Sequence, residues 1–477
     1  MKKHKEMEGF SFVMGLIDTV SPFGTQKKRN LTVYAVQDEL SKELQKTKEF
    51  SVKVVELEET CEKLLSYLRE LKDIRALVDA ASKNQVLTVV DLFELKYFLH
   101  RMHKVEALWK EFEEEDLLPE RLPHLTRILD PKGENLSTFY IYEEYDDALR
   151  WVREEKRAME KRIRQAKSEE EKNALLLERR VLLQKEEEAE YQVRKELSRT
   201  VSKEADKLYH SMEVLGQMDF LLAKARVAKQ YGCSLPKLDS SIPMTMQGAW
   251  HPYFQHLLEK RGKKMTKISI ELKPGSTALT GANMGGKSMA LKTIHLNAVL
   301  VKYGLLPFAE EMSCPFFKEV HLLHDDQEEV RQGLSSFGGE VLKIREILSS
   351  LSEMPSLIIL DEPARGTNPV EGTAIVGGLL NHFKNRHHFL LVATHFDLHD
   401  LVGIYRYQVK GLKELSFGES VHKNVDNSHV LVDRLQEKMD YSLEKWDGSK
   451  ATGDAVRIAE YLGFTEELTK EIRKLLE

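Results

Sequence analysis

Gly281, Gly286, Lys287 and Ser288 stand in the spacing G-x-x-x-x-G-K-[ST], inside Leu279-Thr-Gly-Ala-Asn-Met-Gly-Gly-Lys-Ser288. Glycines so placed let successive backbone N–H groups converge on one concavity, and at the start of a helix that concavity attracts phosphate. Lys287 then supplies a point charge to β- and γ-phosphates, and the Ser288 hydroxyl an oxygen ligand to Mg²⁺. An ordinary glycine-rich turn needs neither side chain. The stretch predicts a nucleotide site.

Two further constellations fit the same chemistry. The apolar run Ser356-Leu-Ile-Ile-Leu360 ends in Asp361-Glu362. An acid at the carboxyl end of a buried strand can hold the Mg²⁺ shell, and a following Glu can orient or deprotonate an attacking water. Asp361 is the expected metal-shell residue and Glu362 the expected base; the competing reading is a strand-end acid that caps a helix. The run Phe389-Leu-Leu-Val-Ala393 ends in Thr394-His395, where His395 is expected in the crevice at the sheet's carboxyl edge as a sensor of the γ-phosphate; the competing reading is a structural histidine.

These residues need elements to position them. From about 236 onward, short apolar runs alternate with helical stretches, the pattern of an α/β domain with a largely parallel sheet. Ile268–Leu272 reads as an early strand, Ser276–Thr280 as the strand feeding the phosphate loop, and Met289-Ala-Leu-Lys-Thr-Ile294 as the helix leaving it. Residues 1–235 are rich in Leu, Glu, Lys and Arg and read as helical. Val54, Leu57, Cys61, Leu64, Leu65 and Leu68 keep one apolar stripe, and Leu92, Leu95, Phe98, Leu99 and Met102 another. Pro119, Pro123 and Pro131 mark a loop or helix break. Between about 145 and 200 the apolar positions thin and opposite charges interleave, as in two helices lying against each other as an antiparallel coiled-coil arm.

The fold class expected is therefore multidomain α and α/β. A helical core and lever with its arm spans 1–235, a P-loop domain 236–440, and a small helical segment 441–477. The chain has 477 residues, 31% of them charged, and a net charge of −6, which gives no global reason to expect a polyanion partner. Three widely spaced cysteines suggest neither a disulfide framework nor a zinc site. The opening residues do not read as a signal peptide, and no apolar run is long enough to span a membrane, so a cytoplasmic location is the expectation.

Set side by side, the phosphate loop, Leu360-Asp-Glu-Pro-Ala-Arg-Gly-Thr367 and Ala393-Thr-His-Phe396 resemble the MutS family of ABC-type ATPases. The loop is similar to that family's T-G-P-N-M-G-G-K-S, with Ala282 in place of Pro. The resemblance implies ATP and Mg²⁺ as ligands. Its nucleotide-binding set is Gly281, Asn283, Met284, Gly285, Gly286, Lys287, Ser288 and Met289, with Lys287, Glu362 and His395 in the catalytic roles and Ser288 and Asp361 on the metal. Gly333-Leu-Ser-Ser-Phe-Gly-Gly-Glu340 resembles the family's signature segment, so Ser335 and Ser336 are expected to reach the nucleotide of a partner subunit. His251-Pro252 resembles the pair that borders the adenine pocket.

Thr19-Val-Ser-Pro-Phe-Gly24, Phe139-Tyr-Ile-Tyr142 and Met218-Asp-Phe-Leu-Leu-Ala223 resemble the entry to and exit from the family's helical core and levers, and Gly453–Phe464 its dimerisation segment. Nothing in this chain resembles the family's mismatch-reading and connector domains, the clamp on its arms, or the nuclease-like tail of some relatives. Pro363 and Gly338-Gly339 also depart from the family pattern. Two functions follow from the resemblance. One is an ATP-driven dimeric switch, homo- or heterodimeric with a second MutS-like subunit, whose helical arms hold DNA. The other is a protein-remodelling ATPase similar to reactivating factors of adenosylcobalamin-dependent aminomutases. No residue here selects between them, and no membrane partner is expected.

Overall fold

A computed structural model of the chain describes residues 7–133, 139–281, 286–324, 336–398, 400–412, 439–446, 456, 458–459 and 464–476. The chain divides into two compact units. One comprises Met1–Leu16, Thr32–Glu49 and Arg226–Glu477, the other Ile17–Leu31 and Phe50–Ala225.

The first unit is α/β. Six strands form one sheet in the order β10-β9-β4-β8-β7-β6: β4 Gly275–Thr280, β6 Val320–Leu323, β7 Leu357–Asp361, β8 Phe389–Ala393, β9 Tyr405–Leu412 and β10 Met439–Lys445. All neighbours run parallel except β9 with β10. Strands β7 and β8 are nearly continuous apolar runs, and β4 is buried along almost all its length, because helices cover both faces of a parallel sheet. A second sheet, ordered β1-β5-β2-β3, collects Lys237–Leu238, Met244–Ala249, Ile268–Leu272 and Glu311–Cys314. It is mostly antiparallel, so the expected strand Ile268–Leu272 belongs to a different sheet from the phosphate-loop strand. The start of the chain folds here too: in helix Glu8–Leu16, the Phe10 ring lies 4.8 Å from that of Tyr303. Residues 441–445, expected within a helical C-terminal segment, instead pair with β9, and helix Glu466–Leu476 follows them.

The second unit is helical, as its Leu, Glu, Lys and Arg composition requires. Both predicted apolar stripes enter its core. The first runs across two helices, because Gln37–Glu56 ends and Glu58–Arg69 begins on either side of Leu57. Pro123 opens helix Pro123–Leu129, where its missing N–H costs nothing. Helices Asp147–Gln165 and Glu169–Lys203 form a hairpin. A small apolar cluster of Met159, Leu175 and Leu182 joins them. Around it, Arg153 reaches Glu186 at 3.0 Å and Glu190 at 2.6 Å, and Lys156 also pairs with Glu186. Two of the three stretches resembling core entry and exit, Thr19–Gly24 and Met218–Ala223, meet at Asp219, which accepts from Ser21 N at 2.7 Å and Ser21 Oγ at 2.6 Å. Among the described residues, no helix is long and apolar enough to cross a membrane.

Candidate nucleotide-binding site

Register aligns the carboxyl ends of three adjacent strands. Leu279 and Asp361 both sit opposite Ala393. Two loop bonds extend that alignment: Thr394 N donates to Leu279 O at 3.0 Å, and Glu362 N to Ala393 O at 2.9 Å. The phosphate-loop strand, the acidic pair and the Thr394-His395 corner therefore leave the sheet side by side.

The phosphate loop leaves β4 through Gly281, at φ 130°, and enters helix Lys287–Lys302 through Gly286, at φ 82°. Only glycine suits position 286. Besides its left-handed backbone, a Cβ there would lie 2.7 Å from Cδ1 of Tyr441 on β10. Ala282, Asn283, Met284 and Gly285 lie outside the described residues, as does Ser335. Ser336 opens helix Ser336–Ser350, but its side chain is also outside the description.

Lys287 is only 3% exposed, donates to Gly281 O at 2.7 Å and has its Nζ 3.5 Å from Glu362 Oε1. Burial pulls its pKa below the usual lysine value, while the facing Glu362 and the nearby Asp361 push it back up. Glu362 Oε2 in turn lies 3.6 Å from Arg365 Nη1.

Asp361 has the donor set expected of a metal-shell carboxylate. Burial raises its pKa, a hydrogen bond with Ser288 lowers it, and the Glu362 charge raises it further. Its Oδ1 is buried without a hydrogen-bond partner. An unsatisfied buried carboxylate oxygen beside a serine hydroxyl suits a hard divalent cation such as Mg²⁺. Among the described residues no three or more His, Cys, Asp or Glu gather to hold a metal alone. Mg²⁺ needs no such cage when phosphates and water complete its shell.

His395 is exposed just beyond β8, its ring 4.6 Å from that of Phe396. Phe396 is anchored by its N–H to Thr394 Oγ1 at 3.0 Å and fills the space beside Gly372, where a Cβ would come within 2.4 Å of the ring. His251 stands at the start of a different helix of the same unit. It is buried, caps helix Pro252–Glu259, stacks on Phe254 at 4.1 Å and lies against Gly9. Burial, reinforced by the Lys292 charge, lowers its pKa to about 4.

The sequence reading passed over three contributors. Arg365 pairs with Glu362, Tyr441 backs Gly286, and Glu340 accepts a hydrogen bond from Ala364 N. Arg365 is close enough in sequence to Glu362 to have been suspected. Tyr441 lies far down the chain and has no local signal at all.

A glycine-bounded loop between a central parallel strand and a helix, with a strand-end acidic pair opposite its lysine, defines a P-loop nucleotide-hydrolase domain. Residues 277–477 match the family model for MutS domain V, an ATPase domain. It is similar to the Endonuclease MutS2 of Caldanaerobacter subterraneus subsp. tengcongensis, with 28% identity over 59% of this chain and 33% of that protein. The Clostridium tetani Endonuclease MutS2 is 29% identical over 62% of this chain and 35% of its own length. That of Shouchella clausii is 33% identical over 46% and 27%. The chain thus spans about a third of the length of the curated relatives it matches.

Proposed function

We propose that this chain binds ATP with Mg²⁺ at the Gly281–Met289 loop and hydrolyses it to ADP and phosphate, and that the cycle drives a dimeric switch acting on DNA. The observation that carries the reading is the Lys287–Glu362 pair beside an Asp361 oxygen left without a donor. Gly281, Asn283, Met284, Gly285 and Gly286 cradle the phosphates, and Lys287 moves from Glu362 to the incoming β/γ-phosphates. Glu362, released, takes the proton of the attacking water. His395 faces the γ-phosphate. Ser288 and Asp361 hold Mg²⁺, which when bound neutralises charge on the phosphate oxygens. Ser335 and Ser336 complete the site of a second subunit, identical or MutS-like, and His251 stands behind the nucleoside.

ATP that bridges two subunits makes contacts that ADP does not, so its hydrolysis biases dimer geometry. The hairpin 147–203 is the arm such a change would move, working as a coiled-coil lever. DNA stands ahead of an aminomutase client because the similar proteins bear the name endonuclease; a cytoplasmic setting accords with either client. Glu362→Gln should keep ATP affinity while turnover falls by about 10²- to 10⁴-fold, the usual worth of a general base. Hydrolysis by that variant at the wild-type rate would remove Glu362 from the reaction. Binding to duplex DNA that weakens with salt supports the client; no binding at low salt transfers the switch to a protein client.

A further inference from the structure

The backbone that presents Glu362 is strained. Glu362 has φ 50° and Ala364 φ 63°, both in the left-handed region that residues with a Cβ rarely occupy. Such a turn persists only where its surroundings hold it. Pro363 between them has no N–H, so the turn offers two backbone donors. Glu362 N is tied to Ala393 O at 2.9 Å. Ala364 N donates to both carboxylate oxygens of Glu340, at 3.0 Å to Oε1 and 3.1 Å to Oε2. Glu340 comes from another element, helix Ser336–Ser350. Ala364 is buried, so its N–H has no water to replace Glu340.

Resting on the hydrolysis reading above, we infer that Glu340 is a positioning residue for that reaction. By holding Ala364 N it keeps Ala364 in its left-handed conformation and so fixes the turn that aims the Glu362 carboxylate at Lys287. It acts on the base through the backbone and makes no demand on nucleotide affinity. Glycine occupies left-handed backbone without strain. A chain with Gly at 364 therefore needs Glu340 less.

The test is steady-state ATP turnover together with titration of a fluorescent ATP analogue, using the full chain. Glu340→Ala is expected to lower kcat about tenfold or more, about 1.4 kcal/mol in the barrier, while analogue affinity stays within about twofold. Glu340→Gln, which keeps a carbonyl acceptor, should retain most of the rate. The double variant Glu340→Ala with Ala364→Gly should regain part of the lost kcat, a rescue that a merely structural role would not produce. Glu340→Met keeps length and packing without an acceptor and is read in the same way if the alanine variant does not fold. A Glu340→Ala chain as fast as wild type, a joint loss of rate and affinity, or a loss that glycine at 364 leaves untouched overturns the inference. If wild type binds the analogue but never hydrolyses ATP, the hydrolysis reading fails and this inference with it.

Discussion

Asp219 is a buried carboxylate and Asp361 a half-buried one, and desolvation pushes both above the usual aspartate range. Their hydrogen-bond accounts differ. Asp219 is fully buried and accepts from Val20 N at 3.1 Å as well as from Ser21 N and Oγ. It sits tightly against Gly24, where a Cβ would fall 2.0 Å from Oδ2. That is a carboxylate used to fasten one segment to another. Asp361, at the end of β7, shares one hydrogen bond with Ser288 and leaves Oδ1 unsatisfied. Burying an acceptor without a partner costs free energy and does nothing for the fold. A carboxylate oxygen in that state has the chemistry to accept a hard cation such as Mg²⁺. Burial alone does not separate the two residues; the missing donor does.

The contrast breaks most visibly in stability. Asp219→Ala strands the backbone donors of Val20 and Ser21, and should cost about 2–4 kcal/mol in urea unfolding. Asp361→Ala removes a carboxylate with one oxygen left unsatisfied, so stability should stay within about 1 kcal/mol of wild type or rise, while Mg²⁺-dependent ATP turnover disappears. Equal losses in the two variants would erase the distinction.

A buried titratable group that is neutral rather than charged should behave differently with pH. His251 has a folded pKa of about 4 against an ordinary 6.5. Its neutral form is the one the native state tolerates, so its contribution is complete above pH 6.5 and is lost as pH falls toward 4. At about pH 5 the wild type should have lost about 2 kcal/mol more than His251→Asn, which keeps a helix-capping acceptor without the imidazole. Parallel stability curves for the two proteins from about pH 7.5 to 5 would show that His251 does not titrate as its burial requires.

The smallest effect belongs to the hairpin. Glu186 faces both Arg153 and Lys156 and is partly buried, whereas Glu178 and Arg162 are both exposed and 3.8 Å apart. Glu186→Gln should cost about 1 kcal/mol, less in high salt, and Glu178→Gln close to nothing. Thermal melts at two salt concentrations separate the cases. A larger loss at Glu178 would mean that exposure is a poor guide to which pairs hold the arm.

Much of the site was legible because its chemistry is local. A loop that wraps phosphate must place glycine, lysine and serine within a few residues, and a strand that ends in acid shows it in one short run. The helical half was legible through the 3.6-residue repeat of Leu92, Leu95, Phe98, Leu99 and Met102, all of which enter the core. What escaped was whatever depended on partners distant along the chain. Tyr441 backs Gly286 from β10, and nothing between residues 286 and 441 announces it. His251 precedes a proline in a recognisable pair, yet Gly9 and Phe254 enclose it. Ile268–Leu272 alternates as a strand and is one, but its antiparallel pairing with Met244–Ala249 in the second sheet is not legible in that alternation, because strand order is settled by pairing.

By itself the sequence determined a phosphate loop, an acidic pair at the end of a buried strand and a long helical half, since each rests on spacing within one element. Tertiary structure decided the rest. It set Leu279 and Asp361 opposite the same Ala393, left Asp361 one donor short while giving Asp219 several, and brought Glu340 to the strained turn that carries Glu362. Spacing within an element follows from backbone geometry, which a single stretch of chain contains. Which donors a buried acid receives depends on where other stretches come to rest, and only the folded packing settles that.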